Sequence, residues 1–242
     1  MERFSHRARR AAGIAAAAVA EATWPTRCAV CDLPGAVLCV SCEARLSYVD
    51  WWRACPVCGA PFGRVQCSEC NPVTLGHLGR DAFPFAGCAS AVMFDDDSGR
   101  IVRTFKDQGE RRLAEPMARI MVRALPPSWE FDAVSYIPAS ERARRERGFD
   151  HGADLGRAVA AQTGRPLRPL LAPPRTKDQR GLSRTERLGN LEGRFSALPR
   201  ARTGGRVLVV DDVFTTGATL CAATDALAAC GCTVYGLTFA RA

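Results

Sequence analysis

The stretch Val207-Leu208-Val209-Val210-Asp211-Asp212-Val213-Phe214-Thr215-Thr216-Gly217-Ala218-Thr219 decides the fold of this chain. Its four leading aliphatic residues are typical of a strand buried on both faces of a parallel sheet, and we expect the strand to end at the two carboxylates. A turn of hydroxyl residues and one glycine follows, and then an Ala/Leu-rich helix predicted over about 218–230. Such a turn directs backbone N–H groups and the positive end of a helix at one point, which favours a bound phosphate.

Asp211 and Asp212 are expected at the carboxyl edge of the sheet, where ligands bind in open α/β folds. A hydrophobic strand with acidic residues is also typical of a Walker B strand, but the accompanying loop then ends in Gly-Lys-Ser/Thr. Neither Lys106 nor Lys177 lies in such a loop. The threonine-rich turn is either an ordinary capped helix start or a ligand loop, in which Gly217 permits close backbone approach. Paired acids beside a phosphate cradle suit a ligand with both phosphate and diol groups.

The composition indicates a folded protein with room for one medium domain and a small module. The chain has 242 residues, of which 47% are hydrophobic and 24% charged. Its net charge of +8 favours an anionic partner, either nucleic acid or a phosphorylated substrate, or reflects nothing specific. Of the 33 basic residues only Lys106 and Lys177 are lysines, as in proteins from GC-rich genomes, so arginine content alone is a weak indication of nucleic-acid binding.

Eight of the twelve cysteines form four Cys-x-x-Cys pairs. Each pair is a tight turn that directs two thiolates at one ion, and two pairs complete the four-sulfur shell of structural zinc, with iron–sulfur or redox use as the alternative. Consecutive pairing is favoured over crossed pairing because shorter loops cost less closure entropy. The expected ligands of two structural zinc ions are Cys28, Cys31, Cys39 and Cys42 for the first ion and Cys55, Cys58, Cys67 and Cys70 for the second.

The need for reduced thiolates predicts a cytoplasmic protein. The arginines of residues 7–10 and the alanine-rich run 11–20 are similar to a secretory signal, but we favour a basic, Ala-rich N-terminal helix. That run is too short to span a bilayer, and no other segment is long and apolar enough to do so. We therefore expect no membrane span.

Composition shifts predict four regions: an N-terminal helix at 1–23, a double zinc ribbon at 24–75, a linker at 76–88 and an α/β domain at 89–242. In the last region we expect strands at 89–94, 131–137, 166–171, 206–212 and 233–241. Helices are expected at 111–125, 150–163 and 218–230, and a turn at 95–99. Residues 172–195 are polar and Arg-rich, and they predict a long loop; loops of that length are usually functional or disordered.

These motifs together resemble the ComF/GntX family of phosphoribosyltransferase-like proteins, over most of the chain. The family has an N-terminal zinc ribbon and an Arg-Gly-Phe segment after a strand that ends in proline, which matches Pro138 and 147–149. A Gly-Leu-Ser…Arg…Asn…Phe segment recurs at 181–195, and the signature Asp-Asp-Val-x-Thr-Thr-Gly-Ala-Thr at 211–219. The chain departs from the family at Asp150-His151, where Asn-Gln is usual. A carboxylate there would disfavour pyrophosphate unless His151 is protonated or a metal intervenes.

The resemblance implies a type I phosphoribosyltransferase-like parallel sheet flanked by helices and preceded by a small double zinc-ribbon module. It implies that 5-phosphoribosyl-1-pyrophosphate (PRPP) binds with Mg²⁺ and that its phosphoribosyl group passes to an unidentified nitrogen acceptor. Asp211 and Asp212 would be the catalytic residues and bind the ribose hydroxyls. The 5-phosphate would lie on Thr215, Thr216, Gly217, Ala218 and Thr219, and the pyrophosphate would face Ala139, Ser140, Arg142 and Arg147. A flexible loop with Arg180, Arg184 and Arg187 would close over the reacting centre.

A second hypothesis is a non-catalytic DNA-binding protein, because members of this family are linked to DNA uptake in natural transformation (competence). The zinc ribbons and the net charge would then bind single-stranded DNA or a DNA-processing protein. Against this, aromatic residues make up only 7% of the chain and do not interleave with its basic loops. Lys106 is either a site residue or a solvated surface lysine.

Overall fold

The computed structural model describes residues 25–174 and 195–242. The chain divides into two compact units, Met1–Arg45 and Leu46–Ala242. In the described part of the first unit, helix α1 (Val40–Ala44) follows the third of the predicted metal ligands. The predicted N-terminal helix at 1–23 lies outside the described residues, as do Arg180, Arg184 and Arg187.

The second unit alternates strands and helices. In chain order they are α2 (Pro72–Gly76), β1 (Gly87–Met93), α3 (Asp96–Lys106), α4 (Ala114–Arg123), β2 (Ala133–Tyr136), α5 (Glu141–Arg147), α6 (His151–Thr163), β3 (Gly205–Phe214), α7 (Ala218–Ala228) and β4 (Cys232–Arg241). Short 3-10 helices lie at Arg111–Leu113 and Pro199–Thr203. The four strands form one sheet in the order β1-β4-β3-β2, and each neighbouring pair is parallel. The predicted parallel α/β sheet with flanking helices is confirmed.

β3 lies in the middle of the sheet because both of its faces are apolar. Val207 and Val209 share one face and pack with Leu220 and Leu227 of α7 in a hydrophobic cluster. The same cluster contains Cys58, so the segment of the second cysteine set packs on this face. On either side, Tyr136 of β2 and Leu237 of β4 both pair with Val210. This register brings the carboxyl end of β2 and the acidic residues of β3 to one edge of the sheet.

β3 continues past the two carboxylates, whereas we expected it to end there. Val213 pairs with Ala240 and Phe214 pairs with Arg241, so β4 supplies ladder partners for two further residues. The two acids therefore lie within β3, just before its last two residues, and not in the following loop. The backbone of β3 pairs with β4 both before and after the two acids. The positions of their Cα atoms are therefore well defined.

Two other predictions of local structure are wrong. Residues 95–99 begin helix α3 instead of forming a turn, since Asp95 and Ser98 make a reciprocal capping box. The predicted strand at 166–171 contributes only isolated bridges at Leu167 and Leu171. Helix α5 was not expected, because its sequence Glu-Arg-Ala-Arg-Arg-Glu-Arg has no apolar periodicity and none of its residues is buried. In the ranges that the structure describes, no helix is both long enough and apolar enough to cross a membrane.

Candidate functional site

An open cleft of about 310 Å³ lies at the carboxyl edge of the sheet, between the ends of β2 and β3. Polar and charged groups from five different elements, α3, α5, α6, β3 and α7, converge on it, which is the usual setting of a ligand site in this class of sheet. The cleft is lined from the β3 side by Asp211, Asp212, Val213, Thr215 and Thr219, from the β2 side by Ile137, Pro138, Ala139, Ser140 and Ala143, and by Lys106, Arg147, His151, Pro174 and Phe195.

The two acids of β3 have different surroundings. Asp212 is buried, and its Oδ2 atom lies 2.7 Å from the Lys106 ammonium nitrogen and 4.0 Å from Nε2 of His151. Asp211 keeps some exposed surface as a residue, but its carboxyl group is enclosed by protein, and its Oδ1 atom accepts a hydrogen bond of 2.9 Å from the backbone N–H of Asp212. The lysine that the sequence left undecided is therefore a site residue.

The pKa values of the acid pair are driven apart. Burial and the neighbouring charge of Asp212 raise the pKa of Asp211 well above its ordinary value. Burial opposes ionisation of Asp212 too, but the ammonium of Lys106 outweighs it and lowers the pKa of that carboxyl. The proton therefore stays on Asp211 to a higher pH than on Asp212, whose charge is balanced by Lys106. Arg147, which pairs with Asp107 at 3.1 Å, is a second cation on the wall of the cleft.

The departure from the family pattern at Asp150-His151 has a local structural role. Asp150 caps helix α6, and its Oδ1 atom accepts hydrogen bonds from the backbone N–H groups of Ala153 at 3.2 Å and Ala139 at 3.3 Å. The carboxylate thus joins the loop after β2 to the start of α6, and it does not line the cleft. Two backbone amides therefore stabilise the negative charge of Asp150, and this charge does not face the cleft.

His151 does line the cleft, but as a neutral group. Its side chain is buried, and burial lowers its pKa, although Asp212 acts in the opposite direction. Nδ1 of His151 has no hydrogen-bond partner among the described residues. The cations on the wall of the cleft are therefore Lys106 and Arg147 rather than a protonated histidine.

The loop between β3 and α7 carries the predicted phosphate ligands. Thr215 and Thr216 are exposed, and Oγ1 of Thr216 accepts a hydrogen bond of 3.4 Å from the N–H of Ala218. Gly217 has a φ of +80°, and a Cβ atom built on it would lie 2.6 Å from the ring of Phe214. The glycine is required by its left-handed backbone and by packing against Phe214, a reason that the sequence did not reveal.

Most of the predicted site residues that the structure describes meet at the cleft. Asp211, Asp212, Thr215, Thr219, Ala139, Ser140 and Arg147 line it directly. Thr216, Gly217, Ala218 and Arg142 do not line it. The Arg142 side chain is 81% exposed and pairs with Glu146 one helical turn away at 2.8 Å. Pro174 and Phe195, which flank the undescribed segment on either side, both line the cleft. Sequence reasoning missed Ile137, Val213 and Pro174, since apolar wall residues carry no chemical signal of their own.

Two groups of four cysteines are placed to hold metal ions. In each group the sulfur atoms all lie within 4.8 Å of one another, and the members are those of the consecutive pairing. Sγ–Sγ distances are 3.8 Å for Cys31–Cys39, 3.7 Å for Cys55–Cys70 and 3.6 Å for Cys58–Cys67. Four Zn–S bonds of about 2.3 Å in a tetrahedron separate their sulfurs by about 3.8 Å, so both donor sets fit zinc.

A family model described as the phosphoribosyl transferase domain matches residues 173–239. The matched range contains β3 with its acids, the following loop, α7 and most of β4, which is less than half of the chain. No curated protein matches the chain. The segment that supplies the acids and the glycine turn is thus similar to a phosphoribosyl transferase domain.

Two solved structures are similar to parts of the chain. The allosteric regulatory enzyme of purine biosynthesis is 23% identical, with 52% of this chain and 25% of that chain covered and a TM-score of 0.34. The adenine phosphoribosyltransferase of Leishmania tarentolae is 17% identical, with 54% of this chain and 58% of that one covered and a TM-score of 0.33. The chain thus spans less than two thirds of either structure, and TM-scores of this size support no argument about function.

Proposed function

We propose that the cleft binds PRPP together with Mg²⁺ and transfers the phosphoribosyl group to a nitrogen acceptor with release of pyrophosphate, as a ComF/GntX-like protein. One observation carries this proposal. The acids and the glycine turn lie in the segment that matches a phosphoribosyl transferase domain, and they share a single cleft with the loop that follows β2. A ligand with a phosphate at one end, a diol in the middle and a pyrophosphate at the other fits that arrangement.

The 5-phosphate would bind at the loop 215–219. Backbone N–H groups at the start of α7, which has eleven residues, and the hydroxyls of Thr215 and Thr219 are its donors. The positive end of the helix adds a favourable field. Asp211 and Asp212 then accept hydrogen bonds from the two ribose hydroxyls, and Lys106 must give up part of its contact with Asp212 to admit them.

The pyrophosphate would lie against the loop after β2. Oγ of Ser140 accepts a hydrogen bond of 3.2 Å from the N–H of Ala143, which leaves its own O–H free to donate to a phosphate oxygen. Lys106 and Arg147 supply positive charge on the same wall. Mg²⁺ would be held mainly by substrate oxygens and water, and it would supply positive charge to the leaving pyrophosphate.

In the reaction, the bond between C1 of the ribose and a pyrophosphate oxygen breaks, and its electron pair leaves with the pyrophosphate. The nitrogen lone pair of the acceptor forms the new bond to C1, and that nitrogen loses a proton. Positive charge builds on the ribose ring, as in glycoside transfer. The carboxylates of Asp211 and Asp212 stabilise that charge, while Ser140, Lys106 and Arg147 stabilise the leaving group.

Titration calorimetry with PRPP and Mg²⁺ tests the proposal. We expect saturable binding to the unmodified chain and at least tenfold weaker binding when Asp211→Asn is combined with Asp212→Asn. Arg142→Ala is the control, because that side chain lies outside the cleft, and it should bind as the unmodified chain does. Absence of heat with the unmodified chain would refute the function, and so would an unchanged affinity in the double variant.

We also propose that each cysteine group holds one structural zinc ion, and hence that the chain works in a reducing compartment, the cytoplasm. Metal analysis of the purified chain should then find about two zinc ions per chain. Recovery of zinc from only one group, or of iron instead, would contradict this assignment.

A second candidate function, binding of single-stranded DNA, is favoured by helix α5. Its arginines are all at least partly exposed, and Arg144 and Arg145 line a groove with Tyr136 and Phe149 beside the cleft. Fluorescence anisotropy with labelled single-stranded DNA should show binding that weakens steeply with salt. Binding should be lost when Arg144→Ala and Arg145→Ala are combined but kept when Arg64→Ala and Arg123→Ala are combined; equal loss in both would argue against this groove.

A further inference from the structure

Arg241, the last residue of β4, is a buried cation with an exposed fraction of only 1%. Its Nη1 atom donates a hydrogen bond of 2.6 Å to the backbone carbonyl of Cys58, and Nη2 lies 3.6 Å from the sulfur of the same residue. The guanidinium also pairs with the carboxylate of Glu69 through Nε and Nη2. Cys58 is a predicted zinc ligand, and Glu69 lies between two others. One face of the arginine is therefore bound to the second cysteine group.

The guanidinium also contacts the strand that leads into the phosphate loop. Its central carbon lies 4.2 Å from the centre of the Phe214 ring, and the backbones of the two residues pair across β3 and β4. The ring of Phe214 in turn occupies the space that a side chain at Gly217 would need. A continuous chain of contacts thus runs from Cys58 through Arg241 and Phe214 to Gly217.

Charge explains why a metal at this group would matter to Arg241. A zinc ion with four thiolates carries a net charge of about −2, and such a charge at a partly buried site requires a nearby cation. Arg241 is placed to supply it. When the metal leaves, the bonds that fix Cys58 are lost, and Arg241 loses its fixed partner. The position of Arg241, and with it the stacking on Phe214, is then less well determined.

We propose that Arg241 is a positioning residue through which the metal at the second cysteine group holds the loop 215–219 in the shape that binds phosphate. That the loop binds a phosphate rests on the proposed function, whereas the effect of Arg241 on the shape of the loop does not. Because linkage is reciprocal, a ligand held by the loop should also raise the affinity of this group for its metal. The segment that sequence reasoning assigned to a separate module would thus be part of the site's support.

Hydrogen exchange of the backbone amides tests the loop directly and without any ligand. In Arg241→Met, which keeps apolar contact with Phe214 but loses the charge and the donors, amides of 215–219 should exchange about tenfold faster. The amides of Ala139 and Ser140 should be unchanged. Arg206→Met is the matched control, because that arginine pairs with Glu130 at the opposite end of β3, and it should leave 215–219 unaffected. Equal exchange in Arg241→Met and in the unmodified chain overturns the proposal.

Two cysteine variants separate the metal from the arginine. Cys67→Ser in the second group should accelerate exchange at 215–219, whereas Cys31→Ser in the first group should not, although both cysteines are partly buried in their groups. Adding Arg241→Met to Cys67→Ser should give little further change, since both act through one contact; fully additive effects would contradict the coupling. Glu69→Gln provides a milder variant should Arg241→Met fail to fold, with a smaller change in the same direction.

Calorimetry with PRPP and Mg²⁺ measures separately how Arg241 affects ligand affinity. Weaker binding to Arg241→Met than to Arg206→Met supports the proposal, and equal binding to the two contradicts it. If no chain binds PRPP, the proposed function fails, and exchange at 215–219 still decides the role of Arg241.

Discussion

Asp150 stabilises the loop after β2, although its charge is unusual at this position. As the cap of α6 and the acceptor for the N–H of Ala139, it fixes the loop that would face the pyrophosphate. Asparagine, the residue that is usual in the ComF/GntX family, offers the same carbonyl acceptor without the charge. Aspartate in place of asparagine therefore changes the charge beside the loop but keeps the hydrogen bonds to Ala139 and Ala153.

Replacement of Asp150 tests this role. Asp150→Ala should lower the free energy of unfolding by about 1 kcal/mol, since an N-cap and a loop contact are both lost. Asp150→Asn should stay within about 0.5 kcal/mol of the unmodified chain, because asparagine caps helices as well as aspartate does. Urea unfolding followed by circular dichroism measures both values. Equal losses in the two variants would show that the charge, not the acceptor geometry, is what the chain needs.

Asp211 should release a proton when the ligand binds. Its pKa is raised in the free chain by burial and by Asp212, whereas an ionised carboxylate is the form that accepts bonds from ribose hydroxyls near Mg²⁺. Binding therefore lowers this pKa, and affinity should rise with pH up to the raised value in the free chain. Calorimetry in two buffers of different ionisation enthalpy, between about pH 5 and 8, measures the protons released. An identical heat in both buffers, or a proton release that persists in Asp211→Asn, would contradict the assignment.

At the scale of elements, the turn from β3 into α7 depends on one glycine. Gly217 combines a φ of +80° with close packing against Phe214, whereas Gly231, just after α7, has a φ of +81° and no neighbour near the position of a Cβ atom. The two glycines share the same backbone strain but differ in packing. The comparison separates the two reasons for which a glycine is needed in the turn.

We expect Gly217→Ala to lower the free energy of unfolding by more than Gly231→Ala. Backbone strain of about 1–2 kcal/mol is common to both, and Gly217→Ala adds the displacement of the Phe214 ring, on the order of 1–3 kcal/mol. Denaturant unfolding gives both losses. If Gly231→Ala is as destabilising as Gly217→Ala, the contact with Phe214 is unimportant, and the support of the loop by that ring is refuted too.

At the scale of the whole molecule, the sequence predicts the parts of the fold that repeat a pattern. The apolar runs of β3 and β4 and the spacing of the cysteine pairs were sufficient for a parallel sheet and for two four-sulfur groups. Helix α5 was not predicted because it has no apolar face. Helix α3 was not predicted because its capping residues, Asp95 and Ser98, are also typical of a turn. Periodicity does not reveal α5, whereas the buried residues of α3 at 98, 101, 102 and 105 do recur at helical spacing.

The candidate site was predictable only in its local motifs. Asp211 to Thr219 are contiguous, so their common location followed from one strand and one turn. The pairing of Lys106 with Asp212 and the contact of Arg241 with Cys58 join residues far apart in the chain. Such contacts are set by the register and packing of the sheet, and no single sequence reports them. The electrostatics of the cleft therefore emerge only with the fold.

The most direct measurement of the central claim is the ³¹P NMR spectrum of PRPP with Mg²⁺ as the protein is added. We predict that the resonances of the 5-phosphate and of the pyrophosphate shift together with one affinity, because the loop 215–219 and the loop after β2 belong to one cleft. When Asp211→Asn is combined with Asp212→Asn, both shifts should require at least tenfold more protein. A spectrum that does not change, or shifts confined to the pyrophosphate and reproduced by pyrophosphate alone, would contradict a phosphoribosyl site.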